Sequence, residues 1–113
     1  MDLRIALDYS GREAILRAAE RYRESPSATP ESFGRLLGEV THDGGAVPDV
    51  DLIIRTGGEQ RLSDFMLWES AYAELYFSPC LWPDFEAAHL EVAIREFQSR
   101  ERRFGRIPEV VAG

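Results

Sequence analysis

The sequence has one cysteine, Cys80, and two histidines among 113 residues. A lone thiol forms no internal disulfide, and no set of Cys and His residues has the spacing of a zinc site. No apolar run approaches the roughly 18 residues expected of a membrane span. Residues 1–13 carry acids and lack a long apolar segment, so they do not read as a secretory leader. Neither a P-loop nor a GxGxxG fingerprint occurs. Positive charge is also scarce. The net charge of −7 argues against general binding of nucleic acid, whose polyanionic backbone favours a basic face. These absences together predict a soluble chain in a reducing cytoplasm.

What is present fits an ordinary folded domain: 44% of residues are hydrophobic and 29% charged, too apolar a balance for a disordered chain. The length allows one domain with a modest core. The arginines are unevenly placed. Arg100, Arg102, Arg103 and Arg106 gather near the end, and Arg55 and Arg61 bracket a glycine pair. Such local concentration in an acidic chain suits recognition of a small anion; a solvated helix end, where cations suit the dipole, is the plainer alternative for the terminal group.

Residues 3–9 alternate apolar and polar side chains, the period of a half-buried strand. Ser10 followed by Glu13 forms a capping box that predicts a helix start, and Ile15, Ala18, Ala19 and Tyr22 then share one helical face. Thr29-Pro30 pairs a good N-cap with proline at the first helical position; Phe33, Leu36, Leu37 and Val40 give a second amphipathic helix. The short apolar run Asp51-Leu52-Ile53-Ile54-Arg55 suits a buried parallel strand. A helix is expected over 64–72, with Leu62 and Leu67 stapling an N-cap at Ser63. Leu75-Tyr76-Phe77 reads as a third strand. Pro83 is expected to open a last helix whose buried stripe is Leu90, Ile94, Phe97 and Phe104. Alternation of strands and helices predicts an α/β fold with a partial parallel sheet of about three strands, an edge of which awaits neighbours.

Ligands of open α/β sheets bind beyond the carboxyl ends of strands, and the segment Arg55-Thr56-Gly57-Gly58-Glu59-Gln60-Arg61-Leu62-Ser63 occupies such a place. Paired glycines permit close backbone approach, a helix start offers unpaired N–H groups, Ser63 adds a hydroxyl, and Arg55 and Arg61 add two forked, permanently charged donors. That combination describes a diphosphate site. A plain glycine turn, with the arginines pairing Glu59 and Asp64, is the alternative. Glu74 stands among apolar and aromatic residues and must be paired or bind a cation. Magnesium shared with diphosphate oxygens is one solution, and a buried ion pair with arginine is the other.

The stretch DLIIRTGGEQRLSDFMLWESAYAELYFSPCLWPDF and the later RERRFG resemble the C-terminal portion of the undecaprenyl diphosphate synthases, the isoprenyl transferases or cis-prenyltransferases. The resemblance starts near Leu3, where IALDYSGREAI is similar to that family's strand and following Tyr-x-Gly-Arg turn. It implies a parallel-sheet fold and the condensation of isopentenyl diphosphate with an allylic diphosphate, creating a cis double bond. Residues 1–113 would then be the isopentenyl-diphosphate-binding half. By this resemblance Arg55, Arg61, Leu62 and Ser63 hold isopentenyl diphosphate, Glu74 contributes to a Mg2+ site, a homodimer or heteromer is the expected assembly, and membrane association is at most peripheral, through the product.

Gln60 stands where some relatives carry histidine, and Asp8 and Ser10 stand where Asn and Gly are common. The family's Asp-Gly-Asn-Gly-Arg loop, which binds the allylic diphosphate and supplies the principal magnesium aspartate, has no counterpart in this sequence, so no catalytic residue is assigned. Three arrangements accommodate that absence: a split enzyme whose second chain supplies the allylic half, a piece of a longer polypeptide, and a catalytically silent interaction or regulatory subunit.

Overall fold

The computed structural model describes residues 1–24, 29–41, 46–100 and 105–107. Contacts divide the chain into two compact units: residues 1–51 with 60–73, and residues 52–59 with 74–113.

The first unit is built on a helical pair. Helix α1 spans Gly11–Tyr22, and Ser10 caps it: its backbone is extended and its hydroxyl accepts from the Glu13 N–H at 3.2 Å. Helix α2 spans Pro30–Thr41. Thr29 Oγ1 accepts from the Ser32 N–H at 3.1 Å while Ser32 Oγ accepts from the Thr29 N–H at 3.2 Å, a reciprocal box that satisfies two donors at the helix start. Between the helices Ala14, Ala18, Leu37 and Val40 are buried, with Ile15, Phe33 and Leu36 packed around them. Two alanines one turn apart let α2 approach closely, and burying Leu37 contributes about 2 kcal/mol. Phe33 extends the cluster edge-on to Tyr22 and, with ring centroids 4.6 Å apart, to Trp68.

Two expectations for this unit are corrected. Residues 3–9 form no strand, and Leu3, Ile5 and Leu7 are each more than three-quarters exposed. A strand is made by its ladder, and among the described residues the one sheet lies elsewhere. A cleft of about 470 Å3, lined by Leu7, Tyr9, Ala14, Val40 and Phe65 among others, opens beside the segment.

Residues 64–72 form successive turns rather than a helix. Ser63, Asp64 and Met66 have φ of 51°, 65° and 46°, a left-handed conformation that excludes a right-handed helix and costs on the order of 1 kcal/mol at a residue such as Met66. Consequently Ser63 is not a helix N-cap and the Leu62–Leu67 staple does not form. Leu67 lies instead at the start of α1, where a Cβ on Gly11 would come within 3.1 Å of its Cγ.

The second unit holds the sheet. Strands β1 (Leu52–Arg55) and β2 (Glu74–Phe77) pair in parallel, with Leu52 beside Glu74 and Arg55 beside Phe77. The α/β class with a partial parallel sheet is therefore observed, with two strands among the described residues where about three were expected. Pairing continues past the strands through Ser78 N–H to Arg55 O at 2.8 Å and Gly57 N–H to Cys80 O at 2.8 Å. Pro83 sits in a 3-10 turn, Trp82–Asp84, and α3 (Ala87–Ser99) starts after it. The Glu86 N–H donates to His89 Nδ1 at 3.0 Å, so His89 takes up a donor at the helix entrance. Of the stripe expected on α3, Leu90 and Ile94 are exposed, Phe97 is half-buried and Phe104 lies outside the described residues; Ala93 is the buried position. Leu90, Val92 and Ile94 thus present an exposed apolar edge on α3.

Candidate functional site

Arg55 ends β1, at the carboxyl edge where open sheets place ligands. Among the described residues its guanidinium has no hydrogen-bond or ion-pair partner, so the alternative in which Arg55 pairs Glu59 or Asp64 does not hold. Gly57 and Gly58 follow with φ of 86° and 76°, which a side chain would strain, and a Cβ on either would meet nothing within 4 Å. Gly58 N–H is used by Ser78 O at 3.0 Å and Gly57 N–H by Cys80 O, so the turn is pinned and its outer surface is open.

Arg61, Leu62 and Ser63 belong to the first unit. Arg61 and Ser63 are exposed and Leu62 is half-buried. The helix start expected to offer N–H groups beyond Leu62 is absent. In its place stands a left-handed turn at Ser63 and Asp64 whose two residues are followed by a Phe65 N–H bonded to Leu62 O at 3.2 Å.

Glu74 opens β2, with its side chain 24% exposed. Arg100 meets it: Nη1 lies 3.3 Å from Glu74 Oε2 and 2.8 Å from Leu75 O, and Nη2 pairs with Glu96. The hydrogen bonds that Arg100 donates to Glu96 and, next in weight, to Glu74 hold its pKa above the ordinary value. The ion pair with arginine, one of the two solutions open to a carboxylate in this setting, is thus present, and its partner comes from the terminal arginine group. Of that group Arg106 is exposed, and Arg102 and Arg103 lie outside the described residues.

Register separates Glu74 from Arg55. Side chains alternate along a strand, so Leu52, Ile54, Glu74 and Tyr76 share one face, and Ile53, Arg55, Leu75 and Phe77 share the other. Glu74 and Arg55 therefore occupy opposite faces and opposite ends of the sheet, and a single sheet does not bring them to one ion. As a metal ligand Glu74 fits in part. Its Oε1 has no hydrogen-bond partner among the described residues, and magnesium needs only one or two carboxylates beside phosphate and water. No group of three His, Cys, Asp or Glu residues able to hold a metal occurs among the described residues.

Asp64 has a role that sequence reasoning did not find. Its Oδ2 accepts from Ser10 Oγ at 2.6 Å, its Oδ1 from the Arg12 N–H at 2.8 Å, and its carbonyl from the Gly11 N–H at 2.8 Å. The Ser10 hydroxyl and the Arg12 N–H hold the carboxyl below the usual carboxylate range. The capping box at Ser10 was the available signal that an acid would be welcome there, but which acid is decided by tertiary structure.

This geometry can be set beside known proteins. The family model for undecaprenyl diphosphate synthase matches residues 1–105. Isoprenyl transferase 1 of Bradyrhizobium diazoefficiens is 52% identical over 111 residues, covering 98% of this chain and 44% of the relative. The isoprenyl transferase of Wolinella succinogenes is 45% identical over 104 residues, covering 91% of this chain and 43% of the relative. Among solved structures, lavandulyl diphosphate synthase from Lavandula x intermedia, in complex with dimethylallyl diphosphate, superposes with a TM-score of 0.77 at 37% identity, covering 88% of this chain and 44% of that one. The fold and the comparisons define a prenyltransferase class, and the chain belongs to the undecaprenyl diphosphate synthase family of isoprenyl transferases. It spans less than half the length of the curated relatives it matches.

Proposed function

We propose that the chain is the isopentenyl-diphosphate-binding portion of a cis-prenyltransferase, acting with polypeptide that supplies an allylic-diphosphate site. The observation that carries this reading is the Arg55 guanidinium, which has no partner among the described residues and stands at the carboxyl end of β1 beside the open Gly57-Gly58 turn. A half-buried cation without a counter-charge is costly unless a ligand supplies one. A diphosphate presents pairs of charged non-bridging oxygens suited to a forked donor. Arg61, Leu62 and Ser63, eight or fewer positions onward in the same segment, complete the proposed set with a second guanidinium, backbone N–H groups and a hydroxyl.

In the reaction, the allylic C–O bond breaks and the diphosphate departs with the electron pair. The isopentenyl double bond attacks the allylic carbon, forming a C–C bond, and loss of a proton leaves the new cis double bond. This chain's contribution is to hold isopentenyl diphosphate and orient its double bond; proximity of that kind lowers the barrier without any protein group entering the bond changes. Glu74 Oε1 would hold Mg2+ on the α3 face of the sheet. When bound, that ion neutralises diphosphate charge. A reducing cytoplasm suits the free thiol of Cys80. A second copy or a separate subunit suits the uncovered Leu90, Val92 and Ile94 of α3.

The same uncovered face favours a second reading, a catalytically silent interaction or regulatory subunit. Calorimetric titration of the chain with isopentenyl diphosphate separates the two. Saturable binding that Arg55→Ala weakens supports the proposal, and absence of binding supports the silent subunit.

A further inference from the structure

Arg61, Leu62 and Ser63 enter a turn that local sequence does not stabilise. Ser63 and Asp64 both have positive φ without being glycine, and a conformation of this kind persists only where surrounding structure imposes it. Here the imposing structure is the start of α1. Asp64 bonds it at three points: Ser10 Oγ to Oδ2 at 2.6 Å, the Arg12 N–H to Oδ1 at 2.8 Å, and the Gly11 N–H to the Asp64 carbonyl at 2.8 Å. The approach is so close that a Cβ on Gly11 would lie 2.6 Å from the Asp64 carbonyl oxygen, which no other residue tolerates without movement. Ser10 is shared between the two tasks, since the hydroxyl that donates to Asp64 also accepts from Glu13 to cap α1.

We propose that Asp64 is a positioning residue for isopentenyl diphosphate, which clamps the Arg61-Leu62-Ser63 turn onto the amino end of α1 and so fixes Ser63 in its left-handed conformation before the ligand arrives. This rests on the reading of Arg61, Leu62 and Ser63 as diphosphate-binding residues. A cap that served α1 alone would need the carboxylate but would not need the strained φ on the residue before it. A preset turn spares the ligand the entropy of ordering it, and losing that ordering lowers affinity rather than changing the chemistry. The carboxylate is favoured by its donors, since the Ser10 hydroxyl and the Arg12 N–H stabilise the ionised form. Asparagine preserves an acceptor for the Arg12 N–H and a polar partner for Ser10; alanine preserves neither.

The test is calorimetric titration of the intact chain with isopentenyl diphosphate, alongside thermal unfolding, for the native protein and for Asp64→Ala, Asp64→Asn, Ser10→Ala and Leu37→Ala. Asp64→Ala should weaken binding about tenfold, with Ser10→Ala intermediate and Asp64→Asn recovering most of the loss. Leu37→Ala, a core change remote from the turn, should lower the unfolding temperature and leave affinity unaltered. Unchanged affinity in Asp64→Ala overturns the positioning role while leaving the diphosphate reading intact. Affinity that merely follows unfolding temperature, Leu37→Ala included, overturns it as well. If the native chain binds no isopentenyl diphosphate, the reading of the segment and this inference fall together.

Discussion

Arg55 and Glu74 stand on opposite faces and at opposite ends of one two-stranded sheet. Their separation is set by register and by the alternation of side chains, so no rotamer change brings both onto one diphosphate within a single copy of the sheet. Arg55 ends β1 ahead of the Gly57-Gly58 turn and has no side-chain partner among the described residues, whereas Glu74 is met by Arg100, which follows α3.

The two residues should therefore act independently in the isolated chain. Arg55→Ala should weaken isopentenyl diphosphate binding roughly tenfold or more in the absence of metal, the loss expected for a charge-assisted donor. Glu74→Gln should leave metal-free binding unchanged. A double-variant cycle by titration should return a coupling below about 0.5 kcal/mol, the level of non-interacting sites.

The helical pair is the principal core of the first unit, and Leu37 is its most deeply buried large side chain, 2% exposed. Leu37→Ala should destabilise the chain by roughly 2–5 kcal/mol. Urea unfolding followed by far-ultraviolet circular dichroism measures this.

Acid should loosen the contact between Asp64 and α1. Because the folded state lowers the Asp64 pKa, it contributes stability above the unfolded value, about 3.9 for a free aspartate, and that contribution is lost as pH falls through the lower folded value. Urea midpoints between pH 6 and pH 2 should fall more for the native chain than for Asp64→Asn, which has no carboxyl to protonate at that position.

Uncovered apolar side chains occur in each unit: Leu3, Ile5 and Leu7 in the first, and Trp82, Val92 and Ile94 in the second. Exposed apolar surface favours association in water. Light scattering should show the isolated chain associating, and it should bind a hydrophobic dye; replacing Leu3, Ile5 and Leu7 with serine should reduce both.

The elements that form were legible wherever local signals and packing agree. Ser10 and Glu13 marked the start of α1, Thr29-Pro30 marked α2, and Ile53-Ile54 and Tyr76-Phe77 marked the paired strands. The failures have physical causes. Residues 3–9 carry a strand's alternation but lack a ladder neighbour, and alternation alone forms no hydrogen bonds. Residues 64–72 have the apolar content of a helix, yet bonds to α1, distant in sequence, hold Asp64 left-handed. Within the candidate site, the arginine-flanked glycine pair and the acid at Glu74 were visible as chemistry. That Arg100 serves Glu74, and that Arg55 faces away from it, depended on strand register, which residue types do not encode.

The most direct measurement is prenyl transfer by the purified chain given farnesyl diphosphate, labelled isopentenyl diphosphate and magnesium. A chain that holds isopentenyl diphosphate without an allylic site should give no labelled polyprenyl product alone, and should give product once a polypeptide carrying the allylic half is added. Labelled product from the chain by itself would contradict the account, because a complete active site would then reside in these 113 residues.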